Sequence, residues 1–160
     1  MKIECLREKL IHALLKADKV TGKNPTLAIL SSIVLGASDN QLVIKATNLE
    51  VGLELNIPAK VKEEGVCALN AITLASFLNN IPQEKNVTLE LNENTLKVSC
   101  GPHKAVIKTV SHEDFPIIPS SIEEGIELPI EQFILGLQSV WYSASISSIK
   151  PELGSVYIYG

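Results

Sequence analysis

The chain has 160 residues, of which 46% are hydrophobic and 20% are charged, and its formal net charge is −4. These values are ordinary for one globular domain with a small remainder, and they exclude a disordered or low-complexity chain. No apolar run is long enough to span a bilayer, and the N-terminus lacks the apolar stretch of a signal peptide, so we expect a cytoplasmic protein without membrane contact.

The first predicted helix extends from about Leu6 to Lys23 and carries a row of cations on one side. These cations recur three or four positions apart, which places them on one stripe of an α-helix: Lys9, His12, Lys16, Lys19 and Lys23. Apolar residues fill much of the remaining surface, and the sequence GKNP at 22–25 is a helix-stop signal. The pattern alone is typical of a solvated amphipathic helix whose lysines serve only solubility.

Charge is distributed unevenly along the chain. Residues 1–30 hold six Lys and Arg and three Asp and Glu, a net charge of +3, whereas residues 31–160 hold eight and fifteen, a net charge of −7. A positive N-terminal element on an otherwise acidic protein favours contact with a polyanion through one surface only.

The predicted elements form a unit of the order β-α-β-β-β that occurs twice. In residues 1–62 a short strand precedes the helix, and three alternating segments follow it, at 29–37, 41–46 and 50–57. In residues 63–122, about 63 positions later, Asn70 is a good N-cap for a helix from about Ala71 to Asn80. The strands of this second unit are predicted at 65–69, 87–91, 96–100 and 104–110.

A third unit begins in residues 123–160, with strands predicted at 125–128 and 156–159 and a helix at 129–142 between them. Internal repetition is the strongest signal in this sequence. Two complete units predict one pseudo-symmetric α+β domain, in which both helices lie side by side on one face of antiparallel sheets. We expect residues 123–160 to be the beginning of a second domain.

Residues that could support catalysis are sparse. The three cysteines, Cys5, Cys67 and Cys100, lie in predicted strands without metal-ligand spacing, which indicates buried free thiols. The histidines are far apart, there is no glycine-rich phosphate loop, and the acidic pairs fall at segment junctions. We therefore expect neither an enzyme nor a bound metal or cofactor.

Four short segments, in order along the repeat, resemble the bacterial sliding clamps, the beta subunits of DNA polymerase III. They are KNPTLAIL at 23–30, TNLE at 47–50, DFP at 114–116 and IKPEL at 149–153. The second of them has Asn48 where the family has aspartate. The resemblance covers the whole chain and is carried by the order of the segments on a matching repeat.

The resemblance implies the DNA-clamp, or processivity-factor, fold. In that family each subunit has three such domains and two subunits close head to tail, so that helices line a channel and sheets form the rim. This chain would supply the first domain, residues 1–122, and the opening of the second, residues 123–160. The implied function is to encircle double-stranded DNA without reading its sequence and to tether the replicative polymerase. The polymerase and the clamp loader would bind through domains that this chain lacks.

The resemblance also assigns roles to individual residues. The implied DNA contacts are Lys16, Lys19, Lys23, Asn24 and Lys150. The implied subunit interface of the homodimeric ring comprises Lys104, Ala105 and Ile107, and Leu153 matches one residue of the cleft that binds partner peptides. The family often has arginine at the position of Asn24, and the second and third helices lack cations, so the DNA-facing charge is concentrated on the first helix.

Two other interpretations stay open. An α+β binding module could use the basic first helix to dock an acidic protein, and a preference for acidic polypeptides over DNA would identify it. A small hydrolase is disfavoured because no His, Cys or carboxylate pair converges in the sequence.

Overall fold

The computed structural model describes residues 1–22, 27–82, 84–119, 125, 127–145 and 150–159. It divides into two compact units, residues 1–120 and residues 121–160. Within the described residues, the first unit contains two α-helices, α1 (Arg7–Asp18) and α2 (Ala71–Asn79). Its strands are β1 (Lys2–Leu6), β2 (Ile33–Ser38), β3 (Gln41–Thr47), β4 (Gly52–Glu63), β5 (Gly65–Leu69), β6 (Asn86–Asn92), β7 (Thr95–Cys100) and β8 (His103–Lys108). The predicted order β-α-β-β-β, twice over, is confirmed.

The strands form one sheet of the order β5-β2-β3-β4-β1-β6-β7-β8, in which all neighbours are antiparallel. The long strand β4 lies at its centre and pairs with β3 up to Pro58 and with β1 beyond it. The two ends of the sheet also approach each other, because the Val110 backbone N–H donates to the Ala68 carbonyl of β5 at 2.8 Å. The sheet thus wraps around the two helices.

The two repeats are related by a pseudo-two-fold that extends to single hydrogen bonds. In the first repeat the Ala59 N–H donates to the Asn40 carbonyl at 3.0 Å, and in the second the Thr109 N–H donates to the Asn94 carbonyl at 3.0 Å. The fully buried helix residues also correspond at a spacing of 64 positions: Leu10 with Leu74 and Leu14 with Leu78. As predicted, α1 and α2 pack against each other on the inner face of the sheet.

Helix α1 is shorter than its sequence pattern predicts, because it ends at Asp18. The Thr21 hydroxyl donates to the Asp18 carbonyl at 2.8 Å, and the Gly22 N–H donates to the Leu30 carbonyl at 2.8 Å, so the chain turns away there. The described part of the stripe therefore ends at Lys19, and Lys23 lies outside the described residues. Residues 28–31 form a short 3₁₀ helix rather than the start of a strand.

The second unit contains helix α3 (Ile130–Val140), followed by 3₁₀ turns at Trp141–Ser143 and Pro151–Gly154. The strands predicted at 125–128 and 156–159 are wrong for the described residues there, which are not in strands. A strand needs a neighbour to satisfy its backbone groups, and the described part of this unit provides none. At this end of the chain the rings of Tyr157 and Tyr159 stack at 5.8 Å instead.

Candidate nucleic-acid interface

Helix α1 separates apolar and cationic residues around its axis. Leu10, Leu14 and Ala17 are fully buried against the sheet and α2. The cations on the other side are all exposed to solvent: Lys9, His12 and Lys16 on the helix, and Lys19 at its C-cap. The 3.6-residue period of the sequence is sufficient to produce this arrangement.

A groove of about 460 Å³ runs between this helix and β4, and three of the four cations line it. Its walls are formed on the helix by Glu8, Lys9, His12, Ala13 and Lys16, and on the strand by Leu55, Asn56 and Ile57. Among the described residues, the ion pairs are Lys2–Glu90 at 3.4 Å and Lys45–Glu54 at 3.1 Å, both within the sheet. The basic side chains of this stripe thus form no ion pair with a described acidic side chain, although Glu8 shares the groove, and they can reach an external anion.

The segment after α1 is held against a compact turn at 47–51. The Asn48 side-chain oxygen accepts the backbone N–H groups of Glu50, at 3.0 Å, and Val51, at 2.8 Å. These bonds need one acceptor oxygen, which an amide supplies as well as the family's aspartate. A Cβ on Gly22 would lie 3.4 Å from the Asn48 Cα, so only a small residue fits where the loop meets this turn. Lys23 and Asn24, which follow Gly22, lie outside the described residues.

Helix α2 presents a neutral surface where α1 is cationic. Its exposed polar residues include Thr73, Ser76 and Asn79, and none of its described residues is Lys or Arg. The predicted N-cap is confirmed, because the Asn70 side-chain oxygen accepts the Thr73 N–H at 3.0 Å. In the second unit, Gln132 and Gln138 of α3 are likewise exposed.

Strand β8, where the sequence predicts the subunit interface, lies at one end of the strand order. Lys104 is exposed and Ala105 is half-buried, but Ile107 is only 7% exposed and belongs to the core. The next outward residue is Val106, which is 68% exposed. Period-two alternation could have identified Val106 as the apolar contact candidate, with Ile107 supporting it from beneath. The interface itself stays a prediction.

The two site residues predicted in the second unit are both solvent-exposed. Lys150 precedes the short turn Pro151–Gly154, and the Leu153 N–H donates to the Lys150 carbonyl at 3.0 Å. The Leu153 carbonyl in turn accepts the Ser145 N–H at 2.7 Å. Their roles stay predictions.

The three thiols are free and buried, as the sequence predicts. Burial raises the pKa of Cys5 and of Cys67 from 9.0 to about 12, and it also raises the pKa of Cys100. A thiol held in its neutral form is a weak nucleophile and a poor metal ligand. Within the described residues, no group of His, Cys, Asp and Glu side chains is arranged to hold a metal ion.

The fold is an antiparallel sheet wrapped around two helices, and one helix has a cationic solvent-exposed surface. This arrangement is compatible with a protein that binds a polyanion such as DNA without recognising its sequence. Residues 1–119 match the model of the family described as DNA polymerase III beta subunit, N-terminal domain. The chain belongs to this family, and its fold is the clamp fold that the resemblance implies.

Curated relatives and solved structures agree with this assignment. The chain is 31% identical over 133 residues to the beta sliding clamp of Treponema pallidum, covering 81% of this chain and 35% of the relative. It is 25% identical over 161 residues to the beta sliding clamp of Synechococcus elongatus, covering 99% and 43%. A putative DNA polymerase III beta subunit from Eubacterium rectale superposes with a TM-score of 0.88 at 25% identity, covering 96% of this chain and 42% of that chain. The chain thus spans less than half the length of these three proteins.

No helix built from the described residues has the length and apolar character needed to cross a membrane.

Proposed function

We propose that this chain forms the first domain, residues 1–122, and the opening of the second domain, residues 123–160, of a sliding clamp that encircles duplex DNA. The family membership supports the ring, and the exposed cations of α1 support the DNA contact. The observation that carries the proposal is that α1, alone of the two packed helices, presents unpaired cations away from the core. A clamp works by topology rather than by catalysis, because a closed ring cannot dissociate sideways from DNA.

The contact with DNA is proposed to be made through phosphates only. Lysine ammonium groups on a helix surface neutralise phosphates without reading base edges, which allows the ring to slide. Lys16 and Lys19 would supply this contact together with Lys23, Asn24 and Lys150. The neutral surface of α2 would leave the DNA loosely held on that side.

The remaining partners follow from the family role. A second subunit would meet the edge strand β8 at Lys104, Ala105 and Ile107, with the exposed Val106 as the outward apolar contact, and close a homodimeric ring. The replicative polymerase and the clamp loader would bind domains beyond this chain, and Leu153 would contribute one wall of their peptide cleft. A replicative role places the protein in the cytoplasm of a bacterial cell.

The test compares two pairs of charge reversals in the complete ring. Lys16→Glu with Lys19→Glu should lower the loading of the ring onto nicked circular DNA, because two phosphates lose their partners. The slope of log affinity against log salt should fall by roughly 0.9 for each lost contact. The fold should be retained, since exposed substitutions cost about 0.5 kcal/mol or less each.

The matched control is Lys60→Glu with Lys62→Glu, which makes the same change in net charge. Ala59 and Val61 face the helices, so by alternation Lys60 and Lys62 point out of the opposite face of the sheet. Equal salt dependence in both double variants would refute a DNA contact at α1. If the chain bound an acidic polypeptide through α1 in preference to DNA, the binding-module interpretation would replace the clamp.

A further inference from the structure

Residues 111–119, here named the strap, leave β8 and cross the outside of the sheet. At its start the Val110 N–H donates to the Ala68 carbonyl of β5 at 2.8 Å. Near its end Ile118 lies directly on Gly52, the first residue of β4. Because β5 and β4 are the first and last strands of the half-sheet β5-β2-β3-β4, the strap crosses this half-sheet from one side to the other.

Two residues on the outer face of this half-sheet are buried, although they point away from the helices. The neighbours of Val34 and of Ala68 along their strands belong to the core, so alternation places these two side chains on the outer face. They are nevertheless only 7% and 0% exposed. In the half-sheet β1-β6-β7-β8, where the strap does not lie, the outward residues Lys97, Lys104 and Val106 are exposed, whereas Thr88, Glu90 and Ser99 are half-buried. The strap begins beside Ala68 and ends on Gly52, so it is the described segment placed to shield these two side chains.

The strap approaches the sheet closely at Gly52. A Cβ at this position would lie 2.6 Å from Cγ2 of Ile118, and 3.4 Å and 3.6 Å from its Cγ1 and Cβ. Isoleucine is branched at Cβ and stiff about χ1, so it cannot simply swing aside. The backbone of Gly52 is not in the left-handed region, so the sheet itself would accept another residue there. The three atoms nearest to such a Cβ all belong to Ile118, so the close contact there is with the strap.

Gly36 in the neighbouring strand β2 shows the contrast. A Cβ there would meet only Cγ2 of Val66, at 4.0 Å, which is an ordinary van der Waals contact. Of these two glycines, only Gly52 would bring a Cβ into close contact with the strap.

We propose that Gly52 and Ile118 form a latch that keeps the strap on the outer face and so fixes where the chain leaves the first unit. Release of the latch would convert the strap into nine residues of free chain, with a reach of about 30 Å. It would also expose Val34 and Ala68 to water. The latch thus controls the length of the connection that precedes residues 121–160, independently of any contact with DNA.

The test is hydrogen–deuterium exchange of the full chain, followed at the amides of Val110 and Phe115. Both amides are bonded, Val110 to Ala68 and Phe115 to the His112 carbonyl at 3.1 Å. Gly52→Ala should raise their exchange rates at least tenfold, while the matched control Gly36→Ala leaves them unchanged. Amides of β3 report whether the sheet is intact in each variant.

A double variant separates the latch from a general loss of stability. In Gly52→Ala with Ile118→Ala, the two Cβ atoms would lie 3.6 Å apart, which is normal contact. This variant should therefore exchange no faster than Ile118→Ala alone. Wild-type exchange rates in Gly52→Ala, or additive effects in the double variant, would overturn the latch. If Gly52→Ala does not fold, Ile118→Ala decides: unchanged rates at Val110 and Phe115 in that variant overturn it.

Discussion

The two repeats of the first unit share their buried residues and differ in their exposed ones. Positions that are 64 residues apart carry the same buried leucines on α1 and α2, and the strands that follow make equivalent backbone bonds. The exposed positions of the two helices do not match: Lys9 corresponds to Thr73, His12 to Ser76 and Lys16 to Asn80. Burial therefore maintains the pseudo-symmetry, whereas charge has been free to diverge because it costs the fold little.

The two repeats also differ in how the first turn of each helix is hydrogen-bonded. Helix α2 begins with a side-chain cap from Asn70, but α1 begins at Leu6 without one. In α1 the Arg7 N–H instead donates to the Lys85 carbonyl at 2.8 Å, and the Arg7 guanidinium donates to the carbonyls of Leu78 and Glu84, each at 2.8 Å. The first helix thus relies on the second repeat, whereas the second helix is capped locally.

The largest expected effect is on the shared core. Leu14→Ala and Leu78→Ala each remove a fully buried side chain at equivalent positions. Each should lower the free energy of unfolding by about 2–5 kcal/mol, and the two losses should agree within about 1 kcal/mol. Urea denaturation measures both. A loss below 1 kcal/mol for only one of them would show that the two helices do not share one core.

Adding cations to α2 tests whether the second helix also faces the DNA. Ser76→Lys with Asn80→Lys places two cations on α2 at the exposed positions equivalent to His12 and Lys16 of α1. If both helices face DNA in the ring, affinity should rise and the salt slope should steepen by roughly 0.9 for each new contact. The control places the same two charges on the outer face, at Thr88 and Ser99, which should leave the slope unchanged. Equal slopes in both variants would show that α2 does not face the DNA.

The repeat and the core were predictable from sequence because both depend on local periods. A buried leucine recurs with the helix turn, and alternation marks each strand, so Leu10, Leu74 and the order of elements follow from pattern alone. The end of α1 was not predictable, since it depends on the Gly22 contact with Leu30. The strap was missed for the same reason: Ile118 and Gly52 are 66 positions apart, and no local period links them.

In the candidate site, too, the exposure of side chains follows from local periodicity, whereas their binding roles do not. Exposure of Lys16 and Lys19 follows from the helical period, and so does the neutral surface of α2. The resemblance places Ile107 at the subunit interface, whereas in the structure Ile107 is in the core and Val106 is exposed. The helix and strand periods indicate which residues are exposed but not what they bind. The charge-reversal variants test their roles.

A smaller effect on stability is expected from the thiols in the first strand of each repeat, Cys5 in β1 and Cys67 in β5. Burial raises the pKa of each from 9.0 to about 12, so the folded state keeps a proton that the unfolded state loses above about pH 9. The contribution of these neutral thiols to the free energy of unfolding is fully present below pH 9 and is lost as the pH rises towards 12. Each thiol should lower the free energy of unfolding by about 1.4 kcal/mol per pH unit in that window. Urea denaturation at pH 8 and pH 10 should show a smaller difference in the variant Cys5→Ala with Cys67→Ala, and an unchanged difference would contradict the shifts.

The smallest effect concerns the start of each helix. Asn70→Ala removes the oxygen that accepts the Thr73 N–H, and should lower the free energy of unfolding by about 1 kcal/mol. Asn70→Asp keeps an acceptor and places a negative charge at the helix N-terminus, so it should preserve or slightly raise stability. At the equivalent position Leu6→Ala removes no cap, and Leu6 is partly exposed, so the loss there should be smaller. Urea denaturation of the three variants distinguishes these cases. Equal losses for Asn70→Ala and Leu6→Ala would mean that the cap contributes nothing beyond side-chain burial, and that the two helices start alike in energy despite their different bonds.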